Sequence, residues 1–349
     1  MTRFAWLQSR TQTLVVAAAL AGLAVAAAIT GVHLSHLYTS LVGHCTSGCD
    51  LAINDFSSHD HFFEHLLDIV AQVAPALLGI FWGAPLVARE YETGTFRLAW
   101  TQSVSRSRWL LTRLAVGGLV TVAVASVLTL TVTWWYRAID HVEANQYGVF
   151  DRRSIVPVGF ALFAFALGAL AGAVVRRTVP AMAVTLAVFI FVRVGVALWV
   201  RPHLLSPRHE FIPLSSAGEF GFESHNGAAA AIVAKAGGPK NAWTLSDHMV
   251  TSNGHVATFA ERAAFVQQHC PILSVPPKVL GPGIRQAPPG IDAAARSCTA
   301  LAQRTFHIVV TYQPASRYWA FQGIETGIFV LLALLAAAGC YWRVVRRGD

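Results

Sequence analysis

Charged residues are scarce in this sequence, at 13% of 349 residues, whereas hydrophobic residues make up 54% and the mean hydropathy is +0.51. Soluble globular proteins carry about 25% charged residues. The composition therefore excludes a disordered chain, a coiled coil and a small secreted disulfide-rich protein. Because the apolar residues fall in runs of about twenty or more, the length needed to cross a bilayer, the sequence predicts a membrane protein.

Lysine is nearly missing, since 23 of the 26 basic residues are arginine, and the net charge is +8. A basic chain can indicate nucleic-acid binding. Here, however, many arginines lie singly or in pairs at the ends of apolar runs, which is typical of membrane topology signals. The charge distribution therefore favours a multi-pass membrane protein and gives nucleic-acid binding no support.

Six windows are long and apolar enough to cross about 30 Å of hydrocarbon. The predicted membrane spans lie near residues 13–35, 66–88, 110–136, 155–175, 178–200 and 320–342. The Ala-rich stretch from Leu14 to Ile29 also fits a cleaved signal peptide. Because the apolar run continues to Leu37, beyond an ordinary signal core, an uncleaved first span is the better interpretation.

The basic residues at the short connections predict the orientation of the spans. With the N-terminus inside, twelve arginines lie in cytoplasmic segments and three lie in the two short outer loops. The connection of residues 201–319 is left out of this count, because segments of that length cross regardless of charge. We expect a multi-pass plasma-membrane protein with both termini in the cytoplasm.

Four of the five cysteines then lie on the outer side, where disulfides form. The sequence predicts a Cys45–Cys49 bond and a Cys270–Cys298 bond, although it also allows other connectivities. Cys340 lies alone inside the last predicted span and is expected to be a small packing residue.

Residues 201–319 form a long outer segment of mixed character. Ser224 to Lys240 is rich in Gly and Ala and indicates a flexible stretch, Val256 to His269 has helical periodicity, and Phe306 to Tyr312 is a strand candidate. The Pro and Gly content predicts a loop-rich cap held by a disulfide. The predicted fold class is an all-α integral membrane protein with six transmembrane helices, organised as residues 1–200, the cap 201–319, and the last span with its tail, 320–349.

The most charged cytoplasmic stretch follows the second predicted span, where Arg89 to Ser103 reads REYETGTFRLAWTQS. It predicts a short amphipathic helix with Phe96 and Trp100 on one side and charges around them, which suits docking to a partner protein. A helix that only anchors the loop at the lipid headgroups fits the same pattern. Periodicity alone leaves both interpretations open.

This stretch resembles the first cytoplasmic loop of type-two ATP-binding cassette (ABC) exporter permeases of the ABCG-like class, particularly the actinobacterial members. Further similar runs are RRTVPAMA from Arg176, RPH from Arg201, YQPASRYW from Tyr312 and FQGIE from Phe321. The resemblance covers the six predicted spans in order and is weaker through residues 205–300.

In that family, the loop after the second span forms a coupling helix that seats in a groove of the ATPase subunit. The resemblance implies that the ATPase-coupling residues of this chain are Arg89, Glu90, Glu92, Gly94, Thr95 and Arg97. It also implies export of a substrate, a separate ABC ATPase chain that binds ATP and Mg, and a second permease copy, identical or different. No cofactor is expected in this chain.

One absence agrees with a separate ATPase chain. The sequence contains no G-x-x-x-x-G-K-[ST] phosphate-binding loop. The chain is therefore predicted to be a transport subunit and not itself an enzyme.

Two other functions remain open. One is a membrane receptor or sensor with a ligand-binding outer segment. The other is a zinc-dependent membrane hydrolase, because His61, Glu64 and His65 match the H-x-x-E-H pattern in which two histidines bind zinc and the glutamate acts as base. Because histidines are frequent around this outer loop, the match also fits a solvated amphipathic helix.

Two ionisable residues fall inside predicted spans, Arg193 in the fifth and Glu325 in the sixth. A charge near a helix centre costs about 2.5–3.5 kcal/mol to insert, so both side chains should face protein or water. Their similar depth predicts an Arg193–Glu325 ion pair. By analogy with the resembled family, Phe81, Trp82 and Phe189 are expected to line an apolar substrate path.

Overall fold

The computed structural model describes residues 2–43, 45, 49, 52–53, 55–56, 61–94, 105–140, 146–223, 230–271, 278–281, 284–286 and 290–346. The chain divides into two compact units. One combines Met1–Leu204 with Arg317–Asp349, and the other is Leu205–Ser316.

The first unit is helical. Its helices are α1 (Thr2–Leu41), α2 (His61–Leu78), α3 (Ala84–Thr93), α4 (Arg106–Trp135), α5 (Arg137–Asp140), α6 (Val156–Val175), α7 (Thr178–Gly195) and α10 (Tyr318–Arg346). A π-helical turn, Gly79–Gly83, joins α2 to α3, and α7 continues through a π-helical turn, Val196–Val200, and a 3-10 turn, Arg201–His203.

Six helical segments in the described part of the chain are long and apolar enough to cross a membrane. They are called spans 1 to 6 below: Leu14–Leu41, His61–Thr93, Arg106–Trp135, Val156–Val175, Thr178–His203 and Ala315–Arg346. The six spans predicted from hydropathy are confirmed, with ends that differ by a few residues. The chain is a multi-pass membrane protein.

Span 4 lies at the centre of the helical unit. It is 72% buried over its apolar window, against 11–33% for the other spans. Its glycines allow it to lie directly against the backbone of span 2. At Gly172 the contact is so close that an added Cβ would lie 2.5 Å from the carbonyl oxygen of Ala84. Likewise, a Cβ on Gly79 of span 2 would lie 2.7 Å from the carbonyl oxygen of Ala164. Such close backbone approach is typical of helix packing in membranes.

The second unit contains sheets as well as helices. Strands β1 (Arg208–Pro213), β7 (Phe306–Gln313) and β4 (Trp243–Thr251) form an antiparallel sheet in the order β1-β7-β4. Strand β2 (Glu219–Glu223) pairs with β3 (Ala231–Lys235), and β5 (Lys278–Gly281) pairs with β6 (Ile284–Gln286). The helices are α8 (Phe259–His269) and α9 (Ile291–Thr305).

The central strand β7 supplies much of the core of this unit. Alternate side chains, Phe306, Ile308 and Val310, are buried, as expected for a strand that packs on one face. Cys270 at the end of α8 is bonded to Cys298 of α9 in the same core. Thr258 begins α8 with a reciprocal side-chain cap to Glu261.

The prediction of an all-α protein with a loop-rich cap is wrong in this unit. The strand predicted at Phe306 to Tyr312 is confirmed as β7, and the predicted helix begins at Phe259 instead of Val256. The supposedly flexible stretch 224–240 contains β3, whose Ile232 is fully buried, while 224–229 lie outside the described residues. Pairing with β2 stabilises β3, and that contact is not visible in the local composition.

The other cysteines are placed as predicted. Cys45 is bonded to Cys49, and Cys340 is free and buried in span 6, with its sulfur 3.5 Å from the carbonyl oxygen of Ala169.

Candidate functional sites at the two ends of the helical unit

Span 2 ends inside the stretch that was predicted to be the coupling helix. Gly94 terminates α3 with a φ of +71°, a left-handed conformation that glycine adopts without strain. The predicted helix over 89–103 is therefore seen only as far as Thr93. Arg89 is exposed, whereas Thr95 and Arg97, together with Phe96 and Trp100, lie outside the described residues.

Glu90 is held inside the protein. Its side chain forms an ion pair of 2.9 Å with Arg113 of span 3, and the residue is only 8% exposed. Arg113 also donates to the carbonyl oxygen of Leu86 at 3.4 Å and stacks over the Trp109 ring at 4.7 Å. Glu90 therefore connects span 2 to span 3, so it is poorly placed for the direct ATPase contact that the resemblance implies.

Glu92 connects span 2 to span 5. Its carboxylate accepts hydrogen bonds from the backbone N–H of Thr178 at 3.3 Å and from the Thr178 hydroxyl at 2.5 Å. Thr178 is the first residue of α7, so this carboxylate also stabilises the positive end of a helix. The end of span 2 is thus joined directly to the start of span 5.

The ends of the spans around Glu90 and Glu92 form a basic surface, here called the arginine end. Against these two acids, the described residues of the arginine end include eight arginines: Arg89, Arg106, Arg108, Arg113, Arg176, Arg177, Arg343 and Arg346. Arg176 lies over the ring of Tyr91 at 5.1 Å. A surface of this sign is complementary to an acidic protein surface.

A buried ionic cluster lies at the opposite end of the spans. Arg201 donates from Nε and Nη2 to the two carboxylate oxygens of Glu325, both at 2.7 Å, and it also bonds Asp151. Glu325 is 1% exposed, and the Arg201 guanidinium lies 4.5 Å from the Phe150 ring centre. The predicted Arg193–Glu325 pair is therefore wrong, because the carboxylate is paired with Arg201 at the end of span 5.

A second ionic group lies at the same end. Arg152 pairs with Asp68 of span 2, and the Tyr136 hydroxyl donates to Asp68 at 2.7 Å and to Glu64 at 3.4 Å. Burial, followed by the hydrogen bond to Asp68, raises the pKa of Tyr136. This residue is therefore a neutral donor at all physiological pH values.

Glu64 and the two histidines of the H-x-x-E-H match lie at the start of span 2. The rings of His61 and His65 stack with centroids 6.4 Å apart, and His61 Nδ1 lies 3.7 Å from Glu64. Within the described residues, no group of three His, Cys, Asp or Glu side chains could hold a metal ion. The three side chains of the match therefore do not form a three-ligand group in the part of the chain that the structure describes.

Gln322 of span 6 connects several elements at this end, a role that no pattern in the sequence predicts. Its side-chain oxygen accepts from the backbone N–H groups of Ile155 and Val156 at 3.2 and 3.0 Å, which caps span 4. Its nitrogen donates to the Phe150 carbonyl and the Tyr318 hydroxyl, both at 3.1 Å. Asp151, Arg152 and Arg153, which follow one another in a short outer connection, also belong to the ionic groups at this end.

Near this cluster, Tyr147 packs edge-on against Tyr318 and Phe321. Burial raises the pKa of Tyr147 to about 12. The ring is neutral and adds apolar contact around Gln322.

The residues predicted to line a substrate path do not share one surface. Phe81 is exposed, whereas Phe189 is 2% exposed and packs against Phe163 of span 4. Trp82 packs beside Leu78 at the contact with span 4. A continuous path formed by these three side chains is not observed within the single chain.

Residues 17–201, which cover spans 2 to 4 and nearly all of spans 1 and 5, match the model of a protein family described as ABC-2 membrane transporter related. The match takes in slightly more than half of the chain, and span 6 and the unit Leu205–Ser316 lie outside it. No curated protein and no solved structure matches the chain.

Proposed function

The chain belongs to the ABC-2 membrane transporter related family, and from this premise we propose that it is the membrane-spanning permease subunit of an ATP-driven exporter. The ATP and Mg are bound by a separate ABC ATPase. Two permease copies form the transport path. The termini and the arginine end face the cytoplasm, in agreement with the twelve arginines in short cytoplasmic segments.

The observation that carries this proposal is the contact of Glu92 with Thr178, which lies just before the connection 95–104 in the sequence. A partner that moves this connection also moves the end of span 2. Because Glu92 is bonded to the start of span 5, and Glu90 to span 3, the displacement is passed to both spans. ATP-driven closure of the ATPase is thereby converted into a rearrangement of the spans, as alternating access requires.

The roles of the predicted coupling residues are divided accordingly. Glu90 and Glu92 transmit the movement within the chain, while Arg89 and the segment that contains Thr95 and Arg97 contact the ATPase. Gly94 ends the helix just before that segment.

Co-purification with the ATPase, followed by measurement of substrate-stimulated ATP hydrolysis and transport, tests this proposal. We expect Glu92→Ala to leave the complex assembled but to reduce transport per ATP hydrolysed, because the link to span 5 is lost. Thr178→Val removes the hydroxyl hydrogen bond to Glu92 but keeps the backbone N–H bond, so it should give a smaller defect in the same direction. Thr178→Ser keeps the hydroxyl and serves as the matched control.

Unchanged coupling in both Glu92→Ala and Thr178→Val would contradict the proposed transmission. Failure of any ATPase to co-purify would favour the receptor or sensor alternative. That alternative has one observation in its favour, namely that the disulfide-bonded unit Leu205–Ser316 lies outside the family match.

A further inference from the structure

Three arginines of the arginine end lie around one tyrosine, Tyr91 of span 2. Arg106 is the first residue of span 3, Arg176 directly follows span 4, and Arg343 lies in the last turn of span 6. The Tyr91 hydroxyl has charge interactions with all three guanidinium groups, and Cζ of Arg176 lies 5.1 Å from the centre of the Tyr91 ring. The ends of four spans therefore bring three positive charges to one place, here called the three-arginine site.

The arginines of this site differ from their neighbours in burial. Arg106, Arg176 and Arg343 are partly buried, and Tyr91 packs against the apolar cluster that spans 2, 3, 4 and 6 form at this end. The other described arginines near it are exposed, namely Arg89, Arg108, Arg177 and Arg346. The packing of the spans therefore holds the three guanidinium groups near one another, although like charges repel.

The acids at this side of the spans are too few to balance the charge. The sequence places twelve arginines here but only three acids, Glu90, Glu92 and Asp349. Glu90 pairs with Arg113, and Glu92 has its charge interaction with Arg177. Whatever partners the three acids take, these two arginines and the three of the site leave at least two positive charges. The helix dipoles do not change this balance, because three spans begin and three end at this side.

The position of the site matches the level of lipid headgroups. Its arginines lie at the first or last residues of apolar spans, and the nearby Val174 and Trp342 are exposed apolar side chains on spans 4 and 6. A phospholipid can place its phosphate among the guanidinium groups, whose planar donors match phosphate oxygens, and its acyl chains along these side chains. An acidic protein surface would instead meet the exposed arginines first.

We propose that the three-arginine site binds the phosphate of an anionic phospholipid in the leaflet at the arginine end. The Tyr91 ring holds Arg176 in position, and the phosphate offsets the repulsion among the three guanidinium groups. The bound lipid thereby joins the ends of spans 3, 4 and 6. It is a partner of the protein and not its transported substrate, so the inference needs neither the ATPase nor the transport function.

Two matched lipids test the proposal on the full-length protein in dodecyl maltoside micelles. They are pyrene-labelled phosphatidylglycerol, which is anionic, and pyrene-labelled phosphatidylcholine with the same chains, and binding is read from tryptophan-to-pyrene energy transfer. We expect phosphatidylglycerol to bind at least about fivefold more tightly, a difference of about 1 kcal/mol. Replacement of Arg106, Arg176 and Arg343 together by glutamine should reduce this preference below about twofold and leave phosphatidylcholine binding unchanged.

A second triple variant is the matched control. Arg89→Gln, Arg108→Gln and Arg346→Gln together remove the same charge from exposed arginines of the same end and should keep most of the preference. An equal loss in the two triple variants would assign the preference to the diffuse charge of the arginine end and overturn the site. Loss of phosphatidylcholine binding would reveal a misfolded site variant. Arg343→Gln alone would then decide, since an unchanged preference in this variant would overturn the proposal.

Equal affinity of the wild-type protein for the two lipids would also overturn the proposal. Two soluble competitors in about 0.15 M salt, a decaglutamate peptide and glycerophosphoglycerol, separate the lipid from other anions. We expect either to reduce phosphatidylglycerol binding by less than about twofold, because neither has acyl chains. Full displacement by the peptide would assign the site to an acidic protein, and full displacement by the free headgroup would assign it to a soluble phosphate ester. Either result would overturn the lipid assignment, and neither would bear on the proposed transport function.

Discussion

Arg201→Met should be among the most destabilising single substitutions in the helical unit. It removes both guanidinium hydrogen bonds of 2.7 Å from Glu325, whose side chain is only 1% exposed. Loss of one partner from a buried ion pair costs about 3–5 kcal/mol, because the other charge stays in a low-dielectric site. Asp151 also loses its partner, but its side chain is 28% exposed and can regain water, so it adds little.

Removal of the stranded acid should reverse most of this loss. In the Arg201→Met background, Glu325→Leu replaces a buried charge by an apolar side chain of similar size, an exchange that is often neutral or stabilising. The double-mutant cycle should therefore give a coupling free energy of at least about 2 kcal/mol. A parallel cycle of Arg193→Met with Glu325→Leu should give a much smaller coupling, because these residues form no ion pair.

Unfolding in mixed micelles with increasing SDS, followed by circular dichroism, measures these free energies. Reversible transitions of equal steepness are required for the comparison of variants. Strictly additive losses in the Arg201 cycle would refute the reasoning, and so would a larger coupling in the Arg193 cycle. In either case the buried carboxylate would have a different partner from the one described.

Three further predictions concern packing, capping and the disulfide. Gly172→Ala should lower the free energy of unfolding by about 1–3 kcal/mol in the same SDS assay, because the added Cβ would lie 2.5 Å from a backbone oxygen. The control Gly22→Ala has nothing within 4 Å of its Cβ and should be neutral or slightly stabilising. Equal effects of the two substitutions would contradict the backbone contact. Thr258→Ala should lower the stability of the sheet-containing unit by about 0.5–2 kcal/mol, because the helix loses its N-terminal cap. Thr258→Ser keeps a capping hydroxyl and should retain most of that stability in thermal unfolding. Equal melting temperatures of the two variants would argue against the cap. Replacement of Cys270 and Cys298 by alanine should lower the stability of this unit by about 3–4 kcal/mol and speed its proteolysis in the full-length protein. Unchanged cleavage rates would refute this expectation.

The sequence predicts the six spans well because burial in lipid requires a long run of apolar residues, which is a local property. It predicts β7 for a similar reason, since its alternating side chains are bulky and β-branched. Neither property predicts β3, a five-residue strand whose stability depends on its partner β2. Contacts between distant segments have no local signature, so the sheets were missed.

The same limit explains the error in the ionic cluster. Counting residues along a helix gives the depth of Arg193 and Glu325 but not the face on which each side chain lies. Arg201 begins the RPH run at the end of the fifth predicted span, where arginine is common, so the sequence does not show that its side chain pairs with Glu325. The sequence predicts a charged stretch at the end of span 2, but the internal roles of Glu90 and Glu92 depend on contacts with spans 3 and 5 that only the structure reveals.

The glycine contacts between spans 2 and 4 also constrain how the helices can move. Where two backbones touch, a sliding displacement of even one residue would drive side-chain carbons into carbonyl oxygens, as at Gly79 and Gly172. Spans 2 and 4 should therefore turn as one rigid element during a transport cycle, and the relative motion must fall on looser neighbours such as span 1, which is only 11% buried. A chemical cross-link between spans 2 and 4 should accordingly leave transport intact, whereas one between spans 1 and 3 should slow it.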